Sequence, residues 1–114
     1  MRLARPTPLS VWTALLCAAL AVPAAAADTE LLLVIKNHRF EPAALKVPAG
    51  QRVKLLVHNQ DATPEEFESH ALNREKVIPA GAKATIFIGP LGPGRYTFFG
   101  EYNPATAQGV VVVD

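Results

Sequence analysis

The segment EEFESH, residues 65–70, carries the side chains whose spacing is best suited to chemistry. If the segment is extended, Glu66, Glu68 and His70 point to one face, while Phe67 and Ser69 point to the other. Alternate residues on a strand are roughly 6.5 to 7 Å apart, so two long carboxylate side chains can converge on one cation. Oxygen ligands with one or two imidazoles suit Fe, Mn, Zn or Cu(II) better than Cu(I). The spacing therefore predicts a metal site that includes Glu66, Glu68 and His70.

A second interpretation assigns the same segment no chemistry. It lies within residues 59–73, the least regular part of the sequence, which is polar, acidic and rich in turn residues at its start. Glu65, Glu66 and Glu68 would then be solvated loop charges, and Phe67 would anchor the loop to the core. A cation would relieve the repulsion within a carboxylate cluster, whereas solvated charges need none. Both interpretations stay open on these residues alone.

Three other ionisable positions have structural explanations. His58 alternates with apolar residues, which predicts the outer face of a strand. His38, in NHRFEP, is typical of a solvent-facing turn. Glu75, in REKV, is expected to form an ion pair with Arg74 and Lys76 at the start of a strand, a contact that stabilises little when exposed, and a role as a metal ligand is the alternative for this residue.

The elements that must position these side chains are short strands. Segments rich in Val, Ile, Leu and Phe recur about every ten residues, and none keeps the spacing of a helix for long. In RVKLLVHN, Val53, Leu55 and Val57 share one face, which predicts a strand with one buried and one exposed side. The pattern predicts an all-β Greek-key sandwich. The segments read ELLLVIK, ALKVPAG, RVKLLVHN, REKVIPAG, KATIFIG, RYTFFGEY and GVVVVD.

Turn residues support the same architecture. KVPAG and KVIPAG echo each other and predict two equivalent corners, with Pro presetting φ and Gly50 or Gly81 closing the turn. LGPGRY matches the tyrosine corner of Greek-key sandwiches, where the hydroxyl of the tyrosine, here Tyr96, hydrogen-bonds back across the loop.

The first 27 residues are expected to be a secretory signal peptide. Arg2 and Arg5 form a basic start, VWTALLCAALAV an apolar core, and PAAAA a small-residue cleavage site ending at Ala27. The apolar run is too short for a stop-transfer helix. Cleavage would leave residues 28–114 as one small domain that is exported to the periplasm.

Composition narrows the function of this domain. Removing Arg2 and Arg5 changes the formal net charge from +1 to about −1, so no basic surface suggests nucleic acid or anionic lipid as a partner. The only cysteine, Cys17, and the only methionine, Met1, precede residue 28. The domain therefore offers neither a thiolate nor a thioether to a metal.

The segments HRFEPAALKVPAGQRVKLLVHN and PLGPGRYTFFGEYNPATAQGVVVV together resemble cupredoxins over essentially all of residues 28–114. In blue-copper members the last loop follows Tyr-x-Phe-x-Cys, with a His three residues after the Cys and a Met three further on. A blue-copper centre needs the thiolate and usually a thioether. The sequence therefore predicts that this chain has no blue-copper centre. The matching positions here are Tyr96, Phe98, Gly100, Asn103 and Thr106.

A narrower resemblance concerns EEFESHALNREKVIPAGAKATIFIGPL followed by FFGEY. These segments resemble the exported cupredoxin-like components that accompany bacterial high-affinity iron permeases. Family members commonly carry a His where this chain has Asn103. The resemblance implies a periplasmic accessory to iron uptake, which delivers or oxidises iron beside an inner-membrane iron permease or another periplasmic iron-uptake component. It also implies a copper or iron ion as cofactor, with Glu101 as a ligand beside Glu66, Glu68 and His70.

The residues themselves support metal binding more than catalysis. A competing hypothesis is a metal-free β-sandwich interaction module, in which an acidic loop or sheet edge docks a partner. In that case the copper site of the family has decayed at Gly100 and Asn103.

Overall fold

The computed structural model describes residues 2–20 and 28–114. Residues 2–20 are exposed and belong to none of the strands, and no helix among the described residues is long and apolar enough to span a membrane. The predicted cleavage site at Ala27 falls in residues 21–27, outside the described residues, so the signal peptide stays a prediction. Nine strands follow: β1 Thr29–Lys36, β2 Arg39–Glu41, β3 Ala44–Lys46, β4 Val53–Asn59, β5 Glu65–Ser69, β6 Arg74–Ile78, β7 Lys83–Ile88, β8 Gly94–Gly100 and β9 Gln108–Val113.

The strands form two sheets, with the orders β2-β1-β4-β7 and β3-β9-β8-β5-β6. Most neighbours are antiparallel, but β1 pairs with β4, and β3 with β9, in parallel. Buried apolar side chains from both sheets form one core cluster. The predicted all-β sandwich is therefore confirmed, and the two parallel pairs make both of its sheets mixed.

Alternation along the strands creates the core. Val53, Leu55 and Val57 are fully buried, as their spacing in β4 predicts, while the residues between them are half-buried on the outer face. On the inner face of the five-stranded sheet, the ring of Phe67 stacks on that of Phe98, with centroids 5.0 Å apart. Phe40 meets Phe98 edge-on at the same distance. This aromatic group anchors the middle of β5 and β8.

The predicted turns are present. Gly50 and Gly81 both have φ near 69°, in the left-handed region that glycine enters without steric cost. The Tyr96 hydroxyl donates a hydrogen bond of 2.9 Å to the carbonyl of Gly92, which is the predicted tyrosine corner. These contacts fix the connections at the ends of the sandwich.

The expectation that residues 59–73 are irregular is wrong in their middle. Glu65–Ser69 forms strand β5, which lies between β6 and β8 inside the five-stranded sheet. The residues of β5 that face the core are Glu65, Phe67 and Ser69, and only one of them is apolar. The period-two apolar pattern that marks the other strands is therefore missing from the sequence here.

Candidate metal site

Strand pairing places four glutamates next to one another on the outer face of the five-stranded sheet. Glu68 lies opposite Glu75 of β6 on one side and opposite Phe99 of β8 on the other. Glu66 pairs with Val77 of β6, and its carbonyl accepts a hydrogen bond of 2.9 Å from the backbone N–H of Glu101. Directly opposed residues on neighbouring strands, and alternate residues on one strand, point to the same face, so Glu66, Glu68 and Glu75 share that face, and the carboxyl of Glu101, which directly follows β8, reaches that of Glu68.

Three of these carboxylates converge. Glu66, Glu68 and Glu75 each offer an oxygen, and the three oxygens lie within 4.8 Å of one another. We call these three residues the acidic cluster. Glu66 is buried with 8% of its surface exposed, Glu68 is half-buried, and Glu75 is exposed. The cluster is therefore open to solvent on the side of β6.

Glu101 is a fourth carboxylate beside the cluster. It is exposed, and its carboxyl lies close enough to that of Glu68 to form a hydrogen bond when one of the two is protonated. The two residues come from segments 33 positions apart, and the fold brings them together as the proposed site requires. Their role as metal ligands stays a prediction.

His70 lies at the rim of the site. It follows the last residue of β5, its Nε2 is 4.0 Å from an oxygen of Glu68, and its side chain is 83% exposed. A surface cleft of about 200 Å³ is lined by residues that include His70, Glu68 and Glu75. Most of the His70 side chain therefore lies in solvent at the edge of the cleft.

The pKa values of two of these carboxylates, Glu66 and Glu68, are raised. The hydrogen bond to Glu75, burial, and repulsion by Glu75, Glu68 and Glu101 raise the pKa of Glu66 from 4.5 to about 7. Loss of hydration, with repulsion by Glu101 and Glu75, raises the pKa of Glu68, while His70 opposes that rise. The site can therefore hold a proton near neutral pH.

Few basic side chains lie near these four carboxylates in the described part of the chain. Across residues 2–20 and 28–114, His70 is the only group of that kind within 4.0 Å of the four carboxylates. Arg74, the expected partner of Glu75, instead donates hydrogen bonds to the carbonyls of Phe87 and Asn73 at 2.8 Å each. The predicted ion pair of Glu75 is therefore absent from the described part of the chain.

The sequence contains one indication that Glu75 lies beside Glu68, which is the length of the connection between β5 and β6. β5 and β6 are joined by the four residues 70–73, and the tight antiparallel pair aligns Ser69 with Arg74. One step further from the turn, Glu68 must then face Glu75. A four-residue hairpin connection, assumed between EFES and REKV, would have added Glu75 to the predicted ligands.

Glu65 is the second residue whose role the sequence did not indicate. It is 1% exposed and points into the sandwich, so it is not a solvated loop charge. One of its oxygens accepts hydrogen bonds from the backbone N–H groups of Glu66 and Tyr102, at 3.0 and 2.9 Å. The other accepts one of 2.7 Å from the side-chain amide of Asn103. Phe67, by contrast, is the core anchor that the second interpretation expected.

A blue-copper centre does not fit the residues of this chain. Gly100, Asn103 and Thr106, which the resemblance aligns with the three ligands of the last loop, supply no thiolate, imidazole or thioether. A Cβ atom at position 100 would lie only 2.6 Å from Cδ of Glu65 and 2.6 Å from Cβ of Ala107. The space that a cysteine side chain would need is therefore already filled.

The other two histidines lie away from the acidic cluster. His58 is half-buried on β4, between Val34 and Lys83 on the outer face of the four-stranded sheet. His38 follows β1 in a turn with φ of 55°, and its Nδ1 is 3.6 Å from the carboxylate of Asp61. Both positions agree with the structural explanations that the sequence suggested.

Comparison with known proteins supports the same architecture. A family model described as "Cupredoxin-like domain" matches residues 8–113. The uncharacterized protein RP394 of Rickettsia prowazekii (strain Madrid E) is 42% identical over 85 residues, which are 75% of this chain and 68% of the relative.

Solved structures add evidence for the fold alone, because their sequences are distant. Auracyanin A, a "blue" copper protein from Chloroflexus aurantiacus, is 14% identical with a TM-score of 0.66, covering 77% of this chain and 100% of that one. A chain in a cryo-EM structure of a heme-copper terminal oxidase dimer is 18% identical with a TM-score of 0.64, covering 76% of this chain and 65% of that one. This chain thus spans slightly less than two thirds of that relative. With its two-sheet architecture and a family match over most of its length, the chain belongs to the cupredoxin-like domain family.

Proposed function

We propose that this protein binds a single metal ion at the acidic cluster and Glu101, with His70 at the rim, and that it serves as an exported accessory to iron uptake. The observation that supports metal binding most directly is the convergence of oxygens from Glu66, Glu68 and Glu75 within 4.8 Å. Two neighbouring strands hold these side chains, so no loop has to close to assemble the group.

The electrostatics favour a cation at this point. Three or four carboxylates without a basic counter-charge repel one another, and this repulsion adds to the hydrogen bond to Glu75 and to burial in raising the pKa of Glu66 to about 7. A bound cation offsets the repulsion and replaces the shared proton. The donor set is all oxygen apart from one imidazole, which suits iron or Cu(II) and disfavours Cu(I).

The role in iron uptake is supported by the resemblance of EEFESHALNREKV and FFGEY to the exported components that accompany bacterial iron permeases. The proposed partner is an inner-membrane iron permease or another periplasmic iron-uptake component. The exposed side of the cluster, at Glu75 and His70, is where a partner could take up the ion.

The metal site is tested by titrating the purified protein with Cu(II) and, without oxygen, with Fe(II). Saturable binding near one equivalent and a rise in melting temperature are expected, because a ligand that prefers the native state stabilises it. If neither ion binds or shifts the melting temperature, the metal-free interaction module becomes the better explanation.

Iron oxidation is tested separately from binding. The rate of Fe(II) loss in air is compared between the protein loaded with Cu(II) and a buffer control with the same copper concentration. An acceleration would support electron transfer from Fe(II) to Cu(II), with oxygen as the final acceptor. An unchanged rate would restrict the role to binding and delivery.

The role in uptake is tested in cells. A strain lacking this protein should accumulate radioactive iron more slowly at low external iron, and the wild-type gene should restore the rate. A gene carrying Glu68→Gln and Glu101→Gln should not restore it. Full restoration by that variant would separate any transport role from the proposed site.

A further inference from the structure

The carboxylate of Glu65 occupies the point on which positions 100 and 103 converge. An added Cβ at Gly100 would lie 2.8 Å from one Glu65 oxygen, and the Asn103 side chain reaches the other oxygen at 2.7 Å. In the blue-copper pattern these two positions carry the cysteine and histidine ligands. A buried side chain thus fills the region that those ligands would enclose.

The hydrogen bonds of Glu65 join two separate parts of the chain. Glu65 begins β5, whereas Tyr102 and Asn103 belong to the C-terminal loop, residues 101–107, which connects β8 to β9. A carboxylate that is 1% exposed depends on such donors, because an unsatisfied buried charge is strongly unfavourable. Hydrogen bonds to an ionised acceptor are also stronger than neutral ones. Glu65 is therefore a cross-link between β5 and the loop.

This cross-link acts next to Glu101. The N–H of Glu101 donates to the Glu66 carbonyl at 2.9 Å, and the next N–H along the chain, that of Tyr102, donates to the Glu65 carboxylate at 2.9 Å. Both peptide groups that flank the Cα of Glu101 are thus attached to β5. Other bonds, such as Ala107 N–H to the Asn103 carbonyl at 2.9 Å, close the loop on itself.

We propose that Glu65 is a positioning residue, which cross-links this loop to β5 and holds Glu101 beside Glu68. The ordering of the loop by Glu65 stands on the hydrogen bonds alone. Its effect on metal affinity rests on the proposed function.

Changing the donor at position 103 tests the ordering of the loop. Asn103→Asp places a second carboxylate against Glu65, which should break the 2.7 Å contact and release the loop. In the double variant Glu65→Gln/Asn103→Asp, the new amide donates to the new carboxylate, and Tyr102 keeps an acceptor. The net charge of the double variant equals that of the wild type.

Hydrogen exchange of the Tyr102 backbone amide reads out this contact in the metal-free full chain. Exchange should become at least roughly tenfold faster in Asn103→Asp and return toward the wild-type rate in the double variant, since protection reports local opening. Gln108→Ala is the matched control, because it removes a bond of 3.1 Å from the first residue of β9 to the Pro104 carbonyl of the same loop, without touching Glu65. Unchanged Tyr102 exchange in Asn103→Asp would overturn the proposal.

Metal affinity tests whether the loop acts through Glu101. The ion used is whichever of Cu(II) and Fe(II) binds the wild-type chain more tightly. Asn103→Asp should weaken its binding by roughly 10- to 100-fold, as substitutions of residues that orient a metal ligand do. In a Glu101→Gln background the same substitution should have almost no further effect. An equal loss in both backgrounds would indicate a general effect on the fold and would overturn the positioning role.

The two measurements separate the failures. If the wild-type chain binds neither ion, the proposed function fails, and Tyr102 exchange still decides whether Glu65 orders the loop. If the wild-type chain binds metal but Asn103→Asp binds equally well, the proposed function stands and the positioning role is wrong.

Discussion

Glu68 and Glu75 lie directly opposite each other on β5 and β6, seven residues apart in sequence. The four-residue connection between the strands creates this register, and Ser69 stabilises it. The Ser69 hydroxyl donates to the Thr97 carbonyl at 2.7 Å and accepts from the Leu72 N–H at 3.0 Å. Backbone pairing, rather than a mobile loop, therefore brings the acidic cluster together.

Neutralising individual carboxylates should reveal the ligands. Glu68→Gln and Glu101→Gln are each expected to weaken binding to a still measurable level, by more than the 10- to 100-fold that follows from substituting a residue that only orients a ligand. Glu66→Gln and Glu75→Gln should also weaken it, and His70→Ala should have the smallest effect of the predicted ligands. Isothermal titration with Cu(II) and Fe(II) measures these affinities. His58→Ala, on the other sheet, is the control, and wild-type affinity in both Glu68→Gln and Glu101→Gln would contradict the assignment.

The metal-free protein should lose stability as the pH rises through the range set by Glu66. Its folded-state pKa of about 7 exceeds the ordinary value of 4.5, so the folded chain holds a proton that the unfolded chain has lost between these values. The contribution is complete below about pH 4.5 and disappears as the pH passes about 7. Urea unfolding across this range should show the fall, and Glu66→Gln should reduce it.

The control for this pH dependence is Glu41→Gln, which removes an exposed carboxylate from β2 on the other sheet. It should leave the slope of stability against pH unchanged.

Metal binding should show the opposite trend, because the cation competes with the proton on Glu66, so affinity should rise with pH up to about 7. Affinity that is independent of pH below 7 would exclude Glu66 from the ligands.

Restoring a cysteine at the blue-copper position should fail. In Gly100→Cys the new Cβ would lie 2.6 Å from Glu65 Cδ and Ala107 Cβ, so the free energy of unfolding should fall by about 1–3 kcal/mol, as in other overpacked cores. Visible absorption after Cu(II) addition should lack the intense blue band of a copper–thiolate centre. Gly100→Ala separates crowding from thiol chemistry, and a stable blue Gly100→Cys protein would show that Glu65 yields the space.

The tyrosine corner should contribute to stability without affecting the site. Tyr96→Phe removes the hydrogen bond of 2.9 Å to the Gly92 carbonyl, and a loss of about 1 kcal/mol in the free energy of unfolding is expected. Urea unfolding measures the loss, and metal titration of the same variant should give the wild-type affinity. A large change in affinity would show that this corner communicates with the acidic cluster.

The strands with an apolar period of two could be predicted from the sequence, and so could the corners at Gly50, Gly81 and Tyr96. These features depend on local chemistry, which neighbouring residues fully specify. The extended form of β5 could be assumed but not predicted from an apolar pattern, because its inner face carries Glu65 and Ser69, whose burial depends on hydrogen-bond partners elsewhere in the chain. A sequence pattern cannot display such distant partners.

Part of the candidate site could be predicted from the sequence. The alternation of Glu66 and Glu68 with Phe67 follows from strand geometry and is confirmed. The closeness of Glu101 to Glu68 depends on the pairing of β5 with β8, which only the resemblance suggested. Glu75 required the hairpin register, and an assumed pair with Arg74 concealed it.

Among residues 2–20 and 28–114, strand β6 has a sheet neighbour on one side only, because β5 is its single partner in the order β3-β9-β8-β5-β6. The unpaired backbone groups of an edge strand can pair with a strand of another chain, and charged side chains make this pairing less favourable. Arg74, Glu75 and Lys76 give β6 three consecutive charges. Glu75 thus has two effects: it completes the acidic cluster, and it helps to prevent copies of the protein from aggregating edge to edge.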